Sequence, residues 1–199
     1  MSSWWKSITR RSSVMLLSGA VIASASAGLV ATSEAPALAY TRIGCKFQGT
    51  NPALHYKKNA ATASHWTATV EGAKRWNAVN APGSFASTTG STYNIFVTEQ
   101  SFLDHSIFAQ TTGTCTSGGT WQNNSTRFTW NTEGTVGLNA TQQRMIATHE
   151  LGHSLGLNHM NTSSCSGTKS VMAQGSIKWS CGWGTEPWPD DINGVNAIY

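Results

Sequence analysis

The run His149-Glu150-Leu151-Gly152-His153-Ser154-Leu155-Gly156-Leu157-Asn158-His159 gathers the side chains best suited to chemistry in this chain. Three imidazoles can give neutral nitrogen donors to a divalent ion, and one carboxylate follows the first of them directly. On a helix, His149 and His153 sit about 40° apart around the axis and roughly 6 Å apart along it, so both can reach one ion. Glu150 then points beside the ion, where it can take a proton from water as a general base rather than act as a ligand. Gly156 takes positive φ at little cost, so the chain can turn there and bring His159 back as a third ligand. Three protein nitrogens and one open corner are how catalytic zinc is held, whereas structural zinc is closed by a fourth side chain. The competing explanation, five fixed letters arising by chance in an ordinary buried helix, has a frequency of about 10⁻⁷ per starting position.

These residues need a helix to carry them and a sheet to hold the helix. Thr141 can cap its N-terminus, and Ala147, Leu151 and Leu155 recur every fourth position on the side away from the histidines, a stripe suited to packing on a sheet. A sheet and two long helices are expected before the site. Ala53 to Lys57 reads as a first strand, and Ser64 can cap a helix whose apolar face is Trp66, Val70, Ala73 and Trp76, ended by Asn80 to Gly83. Tyr93 to Glu99 alternates as a strand with one buried face, and Ile107 to Thr111 and Arg127 to Asn131 are two further strands.

The run from His149 to His159 resembles the extended zinc signature of the metzincin endopeptidases. Ser170-Val171-Met172-Ala173 lies thirteen residues past His159 (172 minus 159) and resembles their methionine turn, while Asp190 to Tyr199 is similar to the last helix of the matrixin branch, the matrix-metalloproteinase-like group. The resemblance implies an α+β, metzincin-like zincin fold. Its parts are a twisted, mostly parallel sheet with an antiparallel edge strand, an active-site helix, a methionine turn and a C-terminal helix. It places Met172 beneath the metal ligands and makes Ile107 to Thr111 the edge strand beside the cleft, free to pair with an extended substrate. One carboxylate of Asp190 and Asp191 is expected to bond the backbone near the methionine turn, although a helix cap alone accounts for the pair. Trp179, Trp183 and Trp188 stand where relatives build the wall of the main side-chain pocket, and plain packing explains them equally well.

The start of the chain bears on where the protein works. Lys6, Arg10 and Arg11 precede an apolar stretch from Val14 to about Ala31, and Ala37-Leu38-Ala39 is a small-x-small cleavage site. Residues 1–39 therefore read as a signal peptide and 40–199 as one catalytic domain of 160 residues (199 minus 39). Ser18, Ser24 and Ser26 interrupt the apolar stretch, so no stable membrane anchor is expected. Four cysteines, Cys45, Cys115, Cys165 and Cys181, favour disulfides in an exported chain. Of the three pairings, Cys165 with Cys181 is favoured because it closes the loop around the methionine turn, leaving Cys45 with Cys115. No separate inhibitory propeptide is expected, because 160 residues leave no room for one. Outside the motif, His55, His65, His105 and Asp104 give little basis for a second metal.

Ten basic residues (13 less Lys6, Arg10 and Arg11) against eight acids (9 less Glu34) leave 40–199 with a charge of +2, which does not indicate a nucleic-acid partner. The expectation is a secreted, monomeric endopeptidase with one catalytic Zn²⁺, acting on protein or peptide. Two alternatives are a secreted zinc-containing module that binds a surface polymer through its seven tryptophans (nine less Trp4 and Trp5), and a zinc hydrolase of a non-peptide bond.

Overall fold

The computed structural model describes residues 40–199; the expected signal peptide lies outside the described residues. Five strands form one sheet: β1 (Ala53–Lys58), β2 (Ser84–Thr88), β3 (Ile95–Gln100), β4 (Ala109–Thr112) and β5 (Thr126–Asn131), in the spatial order β2-β1-β3-β5-β4. The pairs β1–β2, β1–β3 and β3–β5 are parallel, and β4 runs antiparallel to β5 at the edge. The mostly parallel sheet with an antiparallel edge strand is thus as expected. Four helices accompany it: α1 (Ala63–Asn77), α2 (Ala140–Ser154), the short α3 (Ile177–Ser180) and α4 (Pro189–Ile198). Among the described residues one helix, α1, precedes the site helix, rather than two.

Alternation builds the core. Leu54 and Tyr56 of β1, Ile95 and Val97 of β3, and Phe128 and Trp130 of β5 turn their side chains inward and are all but inaccessible. Against them packs α1 through Ala73 and Trp76, and then α2. The two helices cross closely at Gly72, where an added Cβ would stand 2.8 Å from both Ala147 Cβ and the backbone nitrogen of Thr148. At the same crossing the Trp76 indole donates to Thr148 O at 2.8 Å, which joins a large apolar contact to a satisfied polar one.

Several expected boundaries moved, each because of a specific polar contact or chain geometry. The cap of α1 is Thr62, not Ser64, because Glu99 Oε1 at the end of β3 accepts from both Thr62 N and Thr62 Oγ1, at 2.6 and 2.8 Å. The cap of α2 is Asn139, not Thr141. Asn139 and Gln142 form a reciprocal capping box, each side chain accepting from the other's backbone N–H. Trp188, not Asp190, is the cap residue of α4; Pro189 opens the helix and Asp191 reaches back to accept Trp188 N at 2.8 Å. The edge strand begins at Ala109 rather than Ile107, since Asn131 Nδ2 donates to the carbonyls of Asp104 and Ile107 and holds them in a loop. Pairing of β3 starts at Ile95, beyond Tyr93. Strand β2 was not anticipated, because only Phe85 within it is buried.

Both favoured disulfides are present, Cys45–Cys115 and Cys165–Cys181. The first fastens the N-terminal segment to the loop before β5, and the second encloses the Met172 region. Among the described residues no helix is long and apolar enough to cross a membrane.

Because rigid backbone meets any side chain at position 72, Gly72→Ala is expected to lower stability by about 1–3 kcal/mol, read from urea unfolding. An unchanged midpoint would show that α1 and α2 part without cost.

Candidate metal centre and catalytic carboxylate

Helix α2 carries the site, and it is enclosed on every side rather than on one face. Met145 to Leu157 are all buried, because the sheet, α1, the loop at Met172 and the N-terminal segment surround them. Ala147, Leu151 and Leu155 do face the core, but His149, Glu150 and His153 are also at most 7% exposed. Gly156 has φ +102°, as the expected turn requires, and a Cβ there would meet Cys45 O at 2.7 Å. The chain then returns to place His159 beside the helix.

The N-terminal segment straps this turn. Ile43 N donates to Gly156 O and Asn158 N donates to Thr41 O, both at 2.9 Å, and Thr41 Oγ1 donates to His159 O at 2.7 Å. Beneath the helix, Met172 is buried, and its sulfur occupies the space that a Cβ on Gly152 would need. Asp191 is the carboxylate that ties the last helix to this floor, accepting from Val171 N at 2.9 Å and from the Ser170 hydroxyl. Ser170 Oγ in turn accepts Met172 N at 2.8 Å.

The three imidazoles converge. His153 Nε2 lies 3.1 Å from His149 Nε2 and 3.1 Å from His159 Nε2. Nitrogens bonded to one tetrahedral zinc at about 2.0 Å stand about 3.3 Å apart, close to the spacing seen. The far side of each ring explains why these atoms carry lone pairs. His149 Nδ1 donates to Val171 O at 2.7 Å and His153 Nδ1 to Leu157 O at 2.8 Å, which fixes both protons away from the meeting point. Gln174 Nε2 lies 2.9 Å from His159 Nδ1; with the amide turned so that its oxygen faces the ring, it would accept the Nδ1 proton and leave His159 Nε2 free for a metal. Three lone pairs aimed at one point repel each other unless a cation lies between them, so the donor set fits a divalent metal.

Electrostatics favour neutral ligands. Burial, helped by the positive charge of Lys178, drives His149 well below its ordinary range. Burial likewise brings His153 and His159 down to about 4. Glu150 moves the other way: burial raises it to about 7, against donors from Thr111 and the charge of Lys178. Its Oε2 is buried without a hydrogen-bond partner. Thr111 Oγ1 of β4 donates to Glu150 O at 2.9 Å, locking the edge strand to the helix beside the carboxylate.

Two hollows flank this centre. One is lined by Phe108, Ile146, His149, Glu150, Gly175 and Lys178, the other by Ile43, Thr111, His153, Asn158 and His159. Of the tryptophans expected at the pocket wall, Trp179 packs against Phe108 with its ring tilted 57° and ring centres 5.1 Å apart. Trp183 is buried in packing, and Trp188 lies under Lys169 at the start of α4. Sequence reasoning missed Lys178 and Gln174, whose segment carries no motif. His55, His65, His105 and Asp104 join no metal-binding group; the one such group among the described residues is His149, His153 and His159.

A mostly parallel sheet with a helix that sets three imidazoles beside a buried carboxylate points to a metallopeptidase. Residues 50–199 match the family model described as matrixin, and the chain belongs to that peptidase family. The chain is similar to two solved structures of myroilysin. One is 13% identical with a TM-score of 0.50, over 77% of this chain and 82% of that one. The other is 12% identical with a TM-score of 0.46, over 82% of this chain and 86% of that one. A comparison with curated proteins finds no match.

Depressed imidazole pKa values make a pH prediction. A group whose pKa is held near 4 stays unprotonated down to about pH 5, so protons do not compete with the metal in that range. Zinc affinity, measured by competition with a chelator, should fall less than about tenfold between pH 7 and 5, where three ordinary histidines would lose about 10⁴-fold. A loss of several orders would show the rings are not shielded. His159→Ala should leave the purified chain short of zinc, and full occupancy would place the third ligand elsewhere.

Proposed function

We propose that this chain is a secreted zinc endopeptidase that hydrolyses internal peptide bonds of protein or peptide substrates, with residues 1–39 as signal peptide and 40–199 as a monomeric catalytic domain. His149, His153 and His159 hold one Zn²⁺, which when bound supplies Lewis-acid activation of a water and of the scissile carbonyl. The observation that carries the reading is Glu150 Oε2, buried and without a partner next to three converging imidazoles. Burial that costs a carboxylate hydrogen bonds is retained where that oxygen has work to do.

The chain's own residues account for the proton movements. Glu150 takes a proton from the attacking water as the new C–O bond forms, and then gives it to the amine nitrogen as the C–N bond breaks, so the carboxylate is regenerated. A resting carboxyl near 7 suits both transfers, and a neighbouring dication would pull it toward the ionised form needed first. The outer edge of β4 can pair with an extended substrate, whose backbone then lies along the groove beside Glu150. Oxidised cysteines in both pairs agree with a life outside the cytosol.

Glu150→Gln keeps shape and volume but removes the base. Casein cleavage by the mature chain should fall by about 10²–10⁴-fold while zinc content stays at one per chain. Turnover within a few-fold of the unaltered enzyme would remove Glu150 from this role.

A further inference from the structure

The hollow beside Glu150 contains a cation that the proposed reaction does not use. Lys178, from the short helix α3, is 4% exposed although it is a lysine. Its Nζ donates to Ala173 O at 2.5 Å and lies 3.4 Å from His149 Nδ1, a nitrogen whose proton is already given to Val171 O. An ammonium has three N–H groups, and one is used here. The charges of Glu150 and Asp191 act on Lys178, but neither carboxylate forms a contact ion pair with it: the ion pairs among the described residues are His65–Glu99, Lys74–Glu71 and Arg75–Glu186. A buried positive charge without a contact ion pair is expensive, and a metal bound by the adjacent histidines makes it more so. A carboxylate brought in from outside would relieve both.

Geometry says which carboxylate arrives. Lys178 shares its hollow with His149 and Glu150, between the start of β4 and the segment after Met172, with apolar walls from Phe108 and Ile146. A substrate strand pairing antiparallel to β4, the commoner and slightly stronger mode, runs from the Thr112 end toward the Ala109 end. The residue that follows the cleaved bond therefore projects into the Lys178 hollow, while residues before it lie by Ile43, Thr111 and Asn158. This inference rests on the endopeptidase reading. We propose that Lys178 determines specificity by receiving the side-chain carboxylate of an Asp or Glu that directly follows the scissile bond. A neutral isostere in that place leaves the ammonium buried without a contact ion pair, and such a mismatch is where binding sites discriminate most strongly. Shielded from solvent, the pairing resists salt, unlike a surface pair.

The test uses quenched fluorescent peptides identical except for Glu, Gln, Asp, Asn or Leu after the cleaved bond, with zinc-loaded mature chain. The expected result is kcat/KM at least about tenfold higher for Glu than Gln and for Asp than Asn, holding in about 0.5 M salt because a buried pair is little screened. Lys178→Met should bring those ratios close to one and raise the relative rate on Leu, while Lys178→Arg keeps the acidic preference. Zinc content and the unfolding midpoint accompany each variant; where Lys178→Met does not fold, Lys178→Gln takes its place, and the native ratios decide in any case. Equal rates on Glu and Gln, a preference for Leu, or an acidic preference that survives loss of the ammonium would overturn the assignment while leaving the peptidase intact. Failure to cleave any peptide or unfolded casein would instead overturn the endopeptidase reading beneath it.

Discussion

Three imidazole nitrogens with their lone pairs turned toward a common point form an arrangement that is stable only around positive charge. In this protein the rings are held that way from outside. Val171 O and Leu157 O fix two of them by their far nitrogens, and Gln174 stands at the third. Backbone carbonyls are good anchors because they cannot rotate away as side chains do. The positions of Val171 and Leu157 therefore matter as much as the histidines, and much of the surrounding structure secures those two carbonyls. Asp191 gathers Val171 N, the Ser170 hydroxyl and Trp188 N, so the last helix and the loop under the metal centre move together. On the opposite side, the strap from Thr41 to Ile43 holds the turn that contains Leu157 and His159.

Enclosure of the site helix has a cost that the fold meets with tryptophans. The indoles of Trp76 and Trp121 donate to Thr148 O and Ser154 O, the second being one of the carbonyls that a helix end leaves without an internal partner. Both bonds satisfy backbone that no water reaches, and both come from large side chains that also fill the core. The edge of the sheet is treated differently. Strand β4 pairs on one side only, a liability in most proteins; here it lies beside Glu150, clamped by Thr111 to the carbonyl of that residue. An unpaired edge fixed against a buried carboxylate is a surface that an extended peptide can complete.

How much of this was legible in the chain depends on whether the determinant was local. The convergence of His149, His153 and His159 beside Glu150 was readable because a helix and one glycine turn place them, and no distant residue is needed to see it. Met172 and Asp191 were found through resemblance, since nothing in a lone Met-Ala or Asp-Asp says what lies above it. Helix starts were misplaced by two residues where several polar side chains could serve. Glu99, far along the chain, selects Thr62 over Ser64, and Gln142 selects Asn139 over Thr141. Strand β2 escaped because an edge strand with a single buried side chain has no alternating pattern. Lys178 escaped for a deeper reason: Ile-Lys-Trp reads as surface helix, and only the assembled loop shows the ammonium turned inward against Ala173.

The account stands or falls on what occupies the point where the three rings meet. X-ray absorption at the zinc edge, recorded on purified chain at neutral pH, reads that directly. It should show one zinc per chain bound by three imidazole nitrogens at about 2.0 Å and a single light oxygen donor. A fourth imidazole or a sulfur in the first shell would close the open corner, and absence of zinc from the native protein would empty it of purpose; either would contradict the catalytic assignment.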